Sequence, residues 1–140
     1  PAPAVEKVVT EEQVVMEDIR IKSPIVNKYW KAIEIMGKKV EFSEDLKETP
    51  YLNLVEIGSV SGHTGCNRFF GKFTISNNRF IQFSEIAMTE MECSFENYDV
   101  QFAEALNMAR QYTVIGEDKM QLIVGKRAPL AVFQSVSNKE

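Results

Sequence analysis

His63 and Cys66 stand three residues apart in the stretch Ser59–Phe73, "SVSGHTGCNRFFGKF". A thiol beside an imidazole can be a nucleophile activated by a base. The same pair could supply two ligands to a metal ion. Both chemistries need more than the pair offers. A spacing of three inside a turn does not bring thiol and ring together, and no third group that would orient the imidazole is visible. The chain holds one histidine and two cysteines, Cys66 and Cys93, which is a thin ligand set. These cysteines lie too far apart for a C-x-x-C redox pair. They read as a structural disulfide, with two buried free thiols as the alternative. A disulfide implies an oxidising compartment.

The glycines of the stretch, Gly62, Gly65 and Gly71, do not match a dinucleotide fingerprint, and no Lys-Ser/Thr follows as in a P-loop. Glycines between strands more often supply positive φ or close backbone approach at a corner. The stretch therefore reads as a structural corner. Asn67 is expected to use its amide on backbone groups that the corner leaves unpaired, and His63 to matter little to stability. No catalytic residue, cofactor site or metal site is expected.

The elements around the corner are mostly strands. "YWKAIEIM" runs to Gly37, "YLNLVEI" follows Pro50, and Gly58 separates it from "SVSGH". "FFGKFTI" and "RFIQFSEI" flank Ser76, Asn77 and Asn78, a hairpin because Asn tolerates positive φ. "YTVI" and "KMQLIV" flank Gly116–Asp118, and a turn over Gly125–Pro129 precedes "LAVFQSV". Such short connections imply antiparallel pairing. One segment differs. Tyr98, Phe102, Ala105, Leu106 and Ala109 recur at helical spacing, with Asn97 or Ser94 as cap, Glu96 and Asp99 near the start and Arg110 near the end. The fold class is α+β: a curved antiparallel sheet, or a partly closed barrel, packed with one helix.

The chain has 140 residues, 44% apolar and 26% charged, with a net charge of −4, as one globular domain would. No basic cluster exceeds the pairs Lys38-Lys39 and Lys126-Arg127, which argues against a nucleic-acid surface. No apolar run is long enough to span a bilayer. Residues 1–24, with two prolines and no aromatic or glycine, read as a flexible tether after a removed export signal, with little weight in stability. Val14–Ile21 is the part of it that could add an edge strand. Residues 25–140 are the folded domain.

"SGHTGCNRFFGKF" followed by "IQFSEIAMTEMEC" resembles the META domain, the HslJ-like family. Gly65, Cys66, Asn67, Phe69 and Gly71 match one block of the family pattern, and Thr89, Met91 and Cys93 the other. Trp30, Gly37, Phe102, Leu106 and Tyr112 add to a likeness over about residues 28–135, while Glu90 and Glu92 depart from the pattern. The resemblance implies a bacterial cell-envelope protein, periplasmic or lipid-anchored to the outer membrane. It implies no reaction. The expected function is non-enzymatic contact with an unknown envelope protein or lipid, by a monomer. Two alternatives stand beside it: a carrier of a small apolar ligand inside the barrel, motivated by nine Phe, six Met and four Tyr, and a Cys-dependent enzyme.

Overall fold

The structure is a computed structural model that describes residues 20–41, 46, 48–93 and 97–136. Its elements are β1 (Lys28–Ile35), β2 (Lys38–Lys39), β3 (Tyr51–Val55), β4 (Ser59–His63), β5 (Arg68–Ser76), β6 (Phe80–Met88), α1 (Asp99–Met108), β7 (Gln111–Ile115), β8 (Lys119–Ile123) and β9 (Ala131–Val136). All pairings are antiparallel, and neighbours in space are neighbours in sequence from β3 to β9.

The sheet closes. β1 pairs with β9 from Tyr29↔Val136 to Ile35↔Ala131 while its other edge holds β3 and then the two-residue β2. The expected partly closed sheet is thus a complete eight-stranded barrel, with β2 as an appendage. Closure removes the unpaired edges that an open sheet would present. One seam is thin. β6 and β7 share the single pair Phe80↔Gln111, carried by Ile81 N–H to Arg110 C=O and Tyr112 N–H to Arg79 C=O, each 3.0 Å.

Local chemistry explains the hairpins. Asn77 and Asn78 both have φ of 53°, and Met36-Gly37 have 50° and 79°, the left-handed pairs that two-residue turns need. The α1 segment packs against β1, β6 and β8. It buries Phe102, Ala105 and Leu106, as the helical spacing predicts. The Asn97 side chain accepts from Asp99 N–H at 2.9 Å. The Arg110 guanidinium donates to the carbonyls of Asn107 and Ala109 at the other end. Ser94 and Glu96 lie outside the described residues.

The interior is filled. Trp30, Phe69, Phe73, Phe102 and Phe133 are all fully buried, and Phe102 stacks on Phe69 at 5.0 Å and on Phe133 at 6.0 Å. The Trp30 indole donates to Ile25 C=O at 2.9 Å, so its one polar atom is satisfied inside the core. Of the stretch read as a tether, residues 1–19 lie outside the described residues. The rest touches the barrel: Ile21 N–H reaches Glu56 C=O at 2.7 Å, and the Ser23 hydroxyl meets the Tyr112 hydroxyl at 2.9 Å.

Gly71 sits at a bulge, where the β5–β6 register shifts between Phe70 and Lys72. Opposite it, Glu85 has φ of 53°. A Cβ at Gly71 would lie 2.6 Å from Ile86 Cδ1 and 2.9 Å from Glu85 C=O. The side-chain end can move, but the backbone of a strained partner cannot. Gly71→Val is expected to cost about 2–3 kcal/mol, read as a lower urea midpoint at unchanged slope. A midpoint equal to that of the parent would show an ordinary strand position.

Tyr29 lies on the outer face of β1, its ring 4.6 Å from that of Tyr51. Partial burial, then Glu48 and Tyr51, pushes its phenol up to about 12. The fold thus favours the neutral phenol. Its contribution to stability is fully present below the ordinary value of about 10 and is lost as pH rises from there towards about 12. Phenolate absorbance should show a late step towards about 12, and Tyr29→Phe should remove it. An unchanged titration curve in that variant would assign the step elsewhere.

Candidate functional site

The two matched sequence blocks meet at one corner. The β4–β5 turn carries Thr64–Asn67, and the chain leaving β6 carries Thr89–Cys93. Asn67 lies between them, almost fully buried. Its Oδ1 accepts from the Thr89 hydroxyl and from Met91 N–H, both at 2.7 Å. Its Nδ2 donates to Met91 C=O at 3.1 Å and to Asp99 Oδ2 at 2.8 Å. One side chain therefore joins the β4–β5 turn, the β6 exit and the first turn of α1. This is the expected role for Asn67, with Met91 supplying the backbone groups.

Thr64 makes the second half of the corner. Its hydroxyl donates to the other carboxylate oxygen of Asp99 and accepts from Cys66 N–H at 3.2 Å and Asn67 N–H at 3.0 Å. Thr64 N–H in turn reaches Asn67 C=O at 2.9 Å. Thr89 extends the join: its hydroxyl accepts from Arg68 N–H at 3.1 Å, and its own N–H reaches Arg68 C=O at 3.0 Å. Asp99 and Thr64 are the residues that sequence reasoning missed. Asp99 was legible only as a negative charge at a helix start. Its real partners lie 32 and 35 positions upstream.

Cys66 and Cys93 form a disulfide, with Cα atoms 6.2 Å apart and a separation of 27 residues. Closing such a loop is worth about 3.5 kcal/mol in the chain-entropy model. It ties together the same two segments that Asn67 bridges. Covalent and polar links are therefore laid side by side.

The remaining motif residues serve packing. Gly62 faces the Phe69 ring, Gly65 supplies a φ of 101°, and Phe69 enters the core. The Met91 side chain is 56% exposed, so that residue acts through its backbone. His63 departs from expectation. It is 7% exposed, and its Nδ1 accepts from Gly65 N–H at 2.9 Å. The imidazole thus folds back to brace the glycine turn, because a left-handed Gly65 leaves that amide pointing inward. His63→Ala is expected to cost about 1–2 kcal/mol in urea unfolding. A change below about 0.5 kcal/mol would restore the idle reading.

Chemically, the corner holds a carboxylate, two hydroxyls and an amide that bond to one another. Among the described residues, no three His, Cys, Asp or Glu side chains come together as a metal site, and no helix is long and apolar enough to cross a membrane.

The META domain model matches residues 23–137. A protein from Burkholderia xenovorans, solved by NMR, superposes with a TM-score of 0.63 at 18% identity, over 81% of this chain and 85% of that one. A second NMR structure gives 0.62 at 23% identity, over 81% and 95%. These likenesses show the barrel fold alone. No curated protein matches the chain. With both motif blocks meeting at one cross-linked corner, and the family model spanning the whole described barrel, the chain belongs to the META domain family.

Proposed function

We propose that this protein is an HslJ-like domain of the bacterial cell envelope, monomeric, periplasmic or lipid-anchored to the outer membrane. It works without catalysis, through contact with an envelope protein or lipid, in a stress- or secretion-related role. Residues 25–140 would be the working domain and residues 1–24 its tether. The observation that carries this reading is the Asn67 corner. Its polar atoms bond to one another and to backbone (Asn67 alone makes four such bonds), which is the pattern of a structural joint. The Cys66–Cys93 bridge supports an oxidising compartment. The filled interior favours contact at the outer surface over a ligand carried inside, and the disulfide engages the thiol that a Cys-dependent enzyme would use.

The test is the redox state and location of the protein in its own cells. Intact cells are quenched with acid, fractionated, and treated with a maleimide that adds mass to each free thiol. The expected result is an unshifted band, in the envelope fraction, that shifts by two additions only after reduction. A cytoplasmic band already carrying two additions would end the proposal.

A further inference from the structure

The Cys66–Cys93 bridge runs from the interior to the surface. Cys66 is 1% exposed, whereas Cys93, on the chain that leaves β6, is partly exposed. Around Cys66 Sγ stand the Asn67 amide, with Nδ2 at 3.4 Å, and Met91 C=O at 3.6 Å. Thiol–disulfide exchange is an in-line displacement. The incoming thiolate approaches one sulfur along the extension of the S–S bond, and the other sulfur leaves. Attack on Cys66 would have to come through the packed corner. Attack on Cys93 comes from solvent.

The corner also stays assembled when the bridge opens. Asn67 Oδ1 holds Met91 N–H at 2.7 Å and its Nδ2 holds Met91 C=O at 3.1 Å, two residues before Cys93. Thr89 is fixed to Asn67 and to Arg68 by further bonds. None of these contacts uses the disulfide. Loss of the covalent link therefore leaves the β6 exit docked and keeps the two sulfurs within reach of each other. A bridge whose ends were held by nothing else would separate on reduction.

We propose that the bridge is a directional thiol-exchange site, at which a small thiol forms a mixed disulfide with Cys93 alone while the barrel stays folded. The thiolate sulfur bonds to Cys93 Sγ as the bond between the two cysteine sulfurs breaks, and the electron pair departs on Cys66 Sγ. The Asn67 amide gives that sulfur a donor in place of water. Once it has taken a proton from solvent, the Cys66 thiol has Met91 C=O as its acceptor. Full reduction follows only when a second thiolate attacks the small-thiol sulfur of the mixed disulfide. That step releases Cys93 as a thiolate and the two small thiols as their own disulfide. Otherwise Cys66, still in place, displaces the small thiol and re-forms the bridge. The inference rests on the geometry of the corner and is independent of where the protein resides.

The experiment is incubation of the oxidised full chain with mercaptoethanol, acid quenching, trapping of free thiols with a maleimide, and mass mapping of the two cysteine peptides. Mercaptoethanol on Cys93 with maleimide on Cys66 should exceed the reverse pattern by at least about tenfold. The early rate should not change across urea concentrations below the unfolding transition, because the native state reacts. After full unfolding the two patterns should become comparable. In single-thiol variants, Cys93 left by Cys66→Ser should react with the disulfide of mercaptoethanol at least about tenfold faster than Cys66 left by Cys93→Ser. If either variant fails to fold, the pattern in the parent decides. Adducts shared evenly or mainly on Cys66 in the native protein would overturn the proposal, as would equal rates in the two folded variants. So would a rate that climbs with urea in step with unfolding, or no adduct without urea. An inert bridge in a protein still found oxidised in the envelope would sink this inference and leave the contact reading standing.

Discussion

Asn67→Ala should lower the unfolding free energy by about 3–4 kcal/mol. The side chain makes five hydrogen bonds: four to Thr89, to both backbone groups of Met91 and to Asp99, and a weaker one to Cys66 Sγ. Truncation removes all of them and leaves their partners facing a gap in a buried corner. The four stronger partners are half-buried or exposed, so water restores part of the loss, which keeps the figure below the sum of four full desolvation penalties. Asn67→Asp separates geometry from chemistry. It preserves the shape and the accepting oxygen but sets a second carboxylate against Asp99. Repulsion raises the pKa of the pair in the folded state, so this variant should gain stability relative to the parent as pH falls and a proton is taken up. Chemical unfolding of both variants across a pH series gives the answer. A loss under 1 kcal/mol for alanine, or an aspartate variant with no pH dependence beyond the parent's, would mean that the corner does not hold the fold.

Gly62→Ala should be at least as damaging. A Cβ there would lie 2.3 Å from Tyr51 C=O and 2.4 Å from the Phe69 ring. Gly62 pairs with Leu52 on one side and Phe69 on the other. The Phe69 ring lies against the glycine while packing on Phe102 at 5.0 Å. One methyl group therefore requires movement of a sheet carbonyl and of a core aromatic at once. A loss of about 4 kcal/mol or more is expected, at the upper end for a single substitution. Gly58→Ala is a useful comparator, because its Cβ would meet nothing closer than 3.4 Å and only its φ of 95° opposes the change. Thermal unfolding of the two variants side by side reads the difference. Equal midpoints would show that the Phe69 ring swings aside freely.

Local signals carried much of this fold. The Asn77-Asn78 and Met36-Gly37 turns, the breaks at Gly58, Gly116 and Gly125, and the helical stripe through Phe102 and Leu106 are all decided within a few residues, and they stand where the spacing put them. Closure was not legible. The register of β1 against β9 joins residues about a hundred positions apart, and nothing in either strand marks it as a ring-closing partner. The corner was legible in half. Asn67 beside a glycine turn announced a side chain that satisfies backbone. Its acidic partner did not, because an aspartate in the first turn of a helix already has a sufficient local reason. The bond to His63, expected to matter little to stability, was not legible either. Nothing in the spacing shows that the turn's left-handed glycine aims an amide at the imidazole.

The single β6–β7 pair gives the barrel a soft direction. A ring of strands stretches first at its weakest joint, and here one joint depends on two backbone hydrogen bonds while its neighbours have ladders of several pairs. Thermal breathing should concentrate there, on the slow scale of collective motions. The walls on either side would part as stiff bodies. In mechanical terms the molecule is a split ring with a plug, α1, packed against β1, β6 and β8. The plug is pinned to the rigid side by the Asn67–Asp99 contact. Loosening that pin would change how far the ring can spread, without touching a single strand.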